Sequence, residues 1–359
     1  MTQLLFTPTT LGDLQLANRI VMAPMTRNRA DADGTPNALM TEHYAQRAGA
    51  GLIVAEGTWP VVAGQAYSRQ PGIETPAQVQ AWRRVTDAVH QRGGRMVLQV
   101  MHGGRVGSRH IKPEGVPTVA PSALQAGGEV WTDAVGMQPF DVPQALSTAQ
   151  VKAAIAEHRE AALRARDAGF DGVELHGTSG YLSMQFLSSS TNQRQDEYGG
   201  NASARARFAF EVLASMADAI GAGRVGLRLN PGNTYNDTAD EDSAATHAEL
   251  MRQASPLGLA YLHVMRAVTD TSIDAFVLAR QNFAGPLILN DGFDGASAEA
   301  ALAAGHGEAV SFARHFIANP DLVQRLRHGL PLARFDRRTL YTPGAAGYTD
   351  YPLATAELA

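Results

Sequence analysis

Thr26, Gln99, His176, Tyr181, Arg228 and Arg314 each stand within or just after a short apolar run. Tyr181 has an ordinary pKa of about 10, which makes it a proton donor and not a base, and His176 and Ser179 set hydrogen-bonding groups beside it. Gln99 donates and accepts at once, which suits the pyrimidine edge of a flavin. Arg228 favours an anion, such as the charge that a reduced isoalloxazine carries near N1 and its C2 carbonyl. Asp291-Gly292-Phe293 and Ala313-Arg314 can offer backbone N–H groups and a guanidinium to a phosphate. A phosphorylated cofactor fits this set. Plainer readings stand beside it: His176 as a satisfied structural histidine, Tyr181 as a packed aromatic after Gly180, Arg228 as half of a buried ion pair, Thr26 as an ordinary strand-end hydroxyl.

The elements that must position these residues are eight apolar runs, at 20–24, 52–57, 96–102, 172–177, 225–230, 261–266, 287–291 and 309–314. They are near-continuously apolar, as parallel strands covered on both faces are. Helical signals lie between them. Thr75-Pro76 opens a run through Trp82, Val85 and Val89 to Gly93-Gly94, and Thr148 opens one with Val151, Ile155, Ala162 and Leu163 on one face. A third runs from Asn201 through Ile220 to Gly221, and Pro320 is expected in the first turn of a helix that Asn319 caps. His158 and Glu160 are expected on a solvated helix face. Such alternation selects a closed barrel or a long open sheet. Residues 6–17 read as a hairpin plugging the barrel's N-terminal end, and 103–148 as a lid inserted after the third strand.

Composition narrows the function classes. The 359 residues carry a net charge of -5 without a Lys/Arg run, which argues against nucleic acid or an anionic membrane as partner. The absence of cysteine excludes disulfides, thiolate metal sites and cysteine nucleophiles. No metal site is expected, and no segment approaches membrane-spanning length, so a cytoplasmic protein is the default reading. The GxGxxG match at 221–226 precedes a strand instead of following one, so it reads as a helix-to-strand turn. The acidic stretch 237–242 lacks EF-hand spacing and reads as a solvated loop.

Several motifs then fall in one order: 18–27 (NRIVMAPMTR), 44–58 (YAQRAGAGLIVAEGT), 98–105 (LQVMHGGR), the run from Gly172 through 196–200 (DEYGG), 225–231 (VGLRLNP), 316–322 (FIANPDL) and 347–352 (GYTDYP). Over nearly the whole chain the sequence resembles the Old Yellow Enzyme family. The resemblance decides for a (β/α)8 barrel, residues 1–359 forming one domain with 103–148 as its cap. It implies FMN across the barrel mouth and hydride transfer from NADPH or NADH, through flavin N5, to the β-carbon of an activated alkene. By the same resemblance Thr26 bonds flavin O4, Gln99 and Arg228 hold the pyrimidine edge, and Pro24, Met25 and Gly57 line it. Gly292, Ala313 and Arg314 take the phosphate, with Asp291 in the adjacent loop.

The resemblance further implies that Tyr181 protonates the α-carbon, that His176 and Ser179 hold the substrate oxygen, and that Tyr67, Met101 and Tyr341 line the substrate pocket. Ser179 stands where the family usually has Asn or His, Met101 where Trp is common, and Ala313 where Gly is usual. Two other outputs are carried: nitro or nitrate-ester reduction or redox-neutral isomerisation on the same fold, and, more remotely, a non-redox lyase or binding barrel. The expected partner is a small activated alkene, the chain acting as a monomer or small homo-oligomer.

Overall fold

In the computed structural model, which describes residues 3–267 and 272–354, eight parallel strands close into a barrel. They are Ile20–Met22, Leu52–Val54, Met96–Val100, Gly172–His176, Val225–Leu229, Tyr261–Met265, Leu287–Asn290 and Ala309–Phe312, one inside each apolar run. The eighth pairs with the first, Ser311 opposite Val21, which is what distinguishes the barrel from an open sheet.

The barrel interior is layered. At the N-terminal end Val21, Val54, Val97, Tyr261, Ile288 and Ala309 pack against Leu11, Leu14 and Leu16. These leucines come from the expected hairpin, Thr9–Leu11 against Leu14–Leu16. Gly226 makes room for the Tyr261 ring, since a Cβ there would lie 2.3 Å from its Cζ. Above this apolar plug the interior becomes polar.

The outer helices begin as their sequences dictate. Thr75 and Gln78 form a capping box at Pro76–His90, Ser147 and Gln150 form another at Thr148–Asp167, and Asn201 caps Ala202–Ile220. Each such cap is worth about 1 kcal/mol. The lid contains two small sheets, Val119–Ala120 with Gln144–Ala145 and the hairpin Glu129–Thr132 with Gly136–Pro139. Buried Arg105 braces it, donating to the carbonyls of Leu124 and Gln125 in the lid and of Asn236 and Asp237 in the loop after the fifth strand. The stretch 221–226 is a 3-10 turn, Ala222–Arg224, entering the fifth strand. No helix among the described residues is long and apolar enough to cross a membrane.

Three local expectations are corrected. Asn319 closes the helix Arg314–Ala318 instead of capping the next, because its Oδ1, the capping acceptor, takes the Ala333 N–H at 2.8 Å while Nδ2 donates to the His315 and Ala333 carbonyls. The next helix, Leu322–His328, starts after Asp321, leaving Pro320 in the turn. His158 is buried, with Nδ1 bonded to the Ala154 carbonyl at 2.7 Å and its ring against His102 and Phe208. The helix Ala202–Ile220 packs on that face as well as the barrel, so the buried surface is wider than one apolar stripe. Burial holds the His158 imidazole down at about 4. Within the acidic stretch, Asp240 is not solvated, since Arg205 pairs with it at 3.2 Å in a buried setting.

Candidate active site

A cleft of about 500 Å³ opens at the C-terminal end of the barrel, a size that suits a cofactor and a small molecule. The first strand brings Pro24, Met25 and Thr26 to it, the third Gln99 and Met101, and the fourth His176 followed by Ser179 and Tyr181. The eighth brings Ala313 and Arg314, and Tyr341 stands at the mouth. Arg27, at the end of the first strand, lines it as well, and five more lining residues carry no signal in the sequence: Tyr235, Ile317, Phe335, Arg337 and Leu340. Most of these come from distant loops whose approach leaves no local signal.

The remaining expected residues are not part of this lining. Gly57 backs onto Met101, where a Cβ would meet its Sδ at 2.5 Å. Asp291 and Gly292 form the loop after the seventh strand, Asp291 paired with Arg266 at 3.1 Å. Gly292 has open space around its missing Cβ. The Tyr67 hydroxyl meets that of Tyr181, and Arg228 is buried opposite His176 on the neighbouring strand.

Two tyrosine hydroxyls and an imidazole meet at the cleft. The Tyr181 hydroxyl is 2.8 Å from that of Tyr67, and its ring meets the His176 ring edge-on at 4.9 Å. Lid residues Val106, Ala126, Val130 and Phe140 pack around Tyr181 and Met101, keeping this wall dry. Burial pushes Tyr181 well above its ordinary value, and neighbouring Tyr67 adds to the effect. Burial followed by the charge of Arg228 brings His176 down to about 3, so the ring is neutral. Its Nδ1 accepts the Thr178 N–H at 3.3 Å, which places the ring proton on Nε2 as a donor. Ser179 adopts a left-handed φ of 59°, and Asn236 Nδ2 donates to its carbonyl at 2.8 Å.

The floor is a buried polar network. Gln99 Nε2 donates to Glu174 Oε1 at 2.8 Å, and His263 Nδ1 bonds Glu174 Oε2 at the same distance. Ser311 Oγ lies 2.8 Å from His263 Nε2. Arg228 Nη2 donates to Asn290 Oδ1 at 3.1 Å, whereas Nη1 is buried with no partner among the described residues. Leaving such a donor unpaired costs on the order of 1–3 kcal/mol. An acceptor on a bound ring would remove that cost, and Gln99 beside it can meet an imide N–H and carbonyl. Arg314 lines the cleft and is exposed. The donor set fits a flat ring with an electron-rich pyrimidine edge and a phosphate tail.

Fold and site together describe a flavin-dependent oxidoreductase barrel. Residues 4–333 match the NADH:flavin oxidoreductase / NADH oxidase family, and the chain belongs to that family. It is 41% identical over 350 residues to a probable flavin mononucleotide-dependent alkene reductase of Leishmania infantum, covering 96% of each chain. Among solved structures it is similar to morphinone reductase in complex with tetrahydroNAD (TM-score 0.94, 41% identity, 99% of each chain). It is also similar to the old yellow enzyme homologue from Zymomonas mobilis (TM-score 0.93, 39% identity, 97% of this chain and 99% of that one). The sequence resemblance and the barrel expectation are thereby borne out.

Proposed function

We propose that this protein carries hydride from NADPH or NADH, by way of FMN, to the β-carbon of an activated alkene, and that Tyr181 gives the α-carbon its proton. Bound FMN supplies the hydride chemistry. The observation that carries the reading is that one cleft at the barrel mouth gathers Tyr181 and His176 together with Thr26 and Gln99. The name of the Leishmania infantum relative and the tetrahydroNAD of the morphinone reductase complex support substrate class and reductant respectively.

The chain's own residues divide the work. Neutral His176 donates Nε2–H to the carbonyl or nitro oxygen of the substrate, with Ser179 as a shorter second donor. Tyr181, kept protonated by burial, acts as the general acid, and Tyr67, Met101 and Tyr341 shape the substrate's side of the cleft. Thr26 would bond flavin O4, Gln99 and Arg228 the pyrimidine edge, and Pro24, Met25 and Gly57 would line it. Gly292, Ala313 and Arg314 would hold the phosphate, with Arg266 offsetting the charge of Asp291 beside them. Tyr181 at the cleft favours alkene reduction over denitration, which requires no such acid. The reading includes one domain over residues 1–359 capped by 103–148, acting as a monomer or small homo-oligomer in the cytoplasm on a small molecule.

The test is reduction of 2-cyclohexenone in D2O with unlabelled NADPH. The account expects cyclohexanone with solvent deuterium at the α-carbon. An α-carbon without solvent deuterium, or no saturated product, would contradict it.

A further inference from the structure

The carboxylate of Glu174 is fully buried inside the barrel, yet no chemistry assigned so far uses it. Taking a carboxylate out of water costs several kcal/mol, and well-packed apolar side chains at such a site are often neutral or stabilising. The lower barrel is filled in that apolar way. Barrel packing alone therefore gives no reason for Glu174 to sit one layer higher, directly beneath the cleft.

Its contacts supply one. A carboxylate only accepts hydrogen bonds, so Glu174 Oε1 fixes which end of the Gln99 amide faces it: Nε2 donates at 2.8 Å. Flipping that amide would set two acceptor oxygens against each other. The Gln99 carbonyl oxygen and its second N–H are thereby left for the cleft. His263 pins the other carboxylate oxygen, Oε2, at 2.8 Å, and Ser311 meets His263 Nε2 from behind. Ser311 can also turn its hydroxyl to the Leu289 carbonyl at 3.3 Å. Arg228, opposite His263 across the strand pair, shares the same buried space and interacts electrostatically with Glu174.

We propose that Glu174, braced by His263 and Ser311, is a positioning residue for the flavin, fixing the orientation of the Gln99 amide and balancing the charge of Arg228. The proposal rests on Gln99 and Arg228 meeting the pyrimidine edge, as set out above. Two separable effects follow. Orientation of Gln99 acts on FMN affinity. Charge balance acts on the flavin's potential, because removing the carboxylate leaves Arg228 uncompensated beside a ring that becomes negative on reduction.

The experiment compares Glu174→Gln, Glu174→Asp, Gln99→Ala and the double variant Gln99→Ala/Glu174→Gln with the wild-type flavoprotein. FMN affinity is read by fluorescence titration of the deflavinated protein and the midpoint potential by dye equilibration. Glu174→Gln is expected to weaken FMN about tenfold. It should also favour the reduced flavin about tenfold, a positive shift of about 30 mV for a two-electron couple. The double variant should bind FMN no more weakly than Gln99→Ala while keeping the positive shift, since contacts acting through one another are non-additive. Glu174→Asp keeps the charge but shortens the reach, so it should lose affinity without moving the potential, and it carries the test if Glu174→Gln does not fold. Full additivity of the affinity losses, or an unmoved potential in Glu174→Gln, overturns the proposal. Unchanged FMN affinity in Gln99→Ala overturns the placing of Gln99 on which it rests.

Discussion

The hydroxyls of Tyr67 and Tyr181 lie 2.8 Å apart, with their rings at right angles. Burial raises Tyr67 to about 12 and Tyr181 well above its ordinary value, so both stay protonated through the neutral range. Reoxidation of reduced flavin by an enone should therefore be flat from about pH 6 to 9. Tyr181→Phe should slow that step by roughly 10²–10⁴, the usual worth of general acid catalysis, while leaving reduction by NADPH unchanged. Tyr67→Phe removes a contact that helps hold Tyr181 above its ordinary value, so it should not slow this step. Stopped-flow absorbance of each half-reaction reads all three, and a Tyr181→Phe protein with full reoxidation rate would contradict the acid's assignment.

Ser179 makes a second prediction. Its left-handed φ of 59° is one that Asn tolerates better than Ser, so Ser179→Asn introduces no backbone strain. The longer amide should reach the substrate oxygen beside His176 and lower the KM for 2-cyclohexenone about tenfold, the worth of one good hydrogen bond. Because His176 is held down at about 3, that KM should not change between about pH 5 and 8. An unchanged KM in Ser179→Asn would show that Ser179 does not limit the grip on substrate.

Much of this arrangement is visible in the sequence, for a physical reason. Strands covered on both faces must be nearly all apolar, so the eight runs stand out, and polar residues at their C-terminal ends such as Thr26, His176 and Arg314 draw attention. Glu174, His263 and Ser311 do not, because each lies inside an apolar run and reads as an interruption. The signal that finds Glu174 and His263 is an ionisable residue at an inward position of such a strand, which must be paired. His158 reads as solvated because it is a polar residue among alanines, and only the second helix laid over it buries the ring. Tyr235, Phe335 and Leu340 reach the cleft from loops, where no periodicity marks them.

Glu56 predicts a pH dependence of stability. Its oxygens accept the Arg27 backbone N–H and the Tyr44 hydroxyl, both at 3.1 Å. Burial nonetheless raises its pKa from 4.5 to about 7. The fold thus favours the protonated acid. That stability is fully present below the unfolded value and lost as pH rises through the folded one. Relative to Glu56→Gln, the wild-type holoprotein should lose on the order of 2 kcal/mol between pH 5 and pH 8. Urea denaturation of both proteins at the two pH values checks it, and a difference independent of pH would show that Glu56 is ionised throughout.

The central claim, a flavin cycle ending on an activated alkene, is tested most directly by one anaerobic titration. The FMN-loaded protein is reduced with NADPH until its visible absorbance bleaches, and 2-cyclohexenone is then added. Return of the oxidised flavin spectrum with one equivalent of cyclohexanone is the result predicted. A flavin that stays bleached until air is admitted would contradict it.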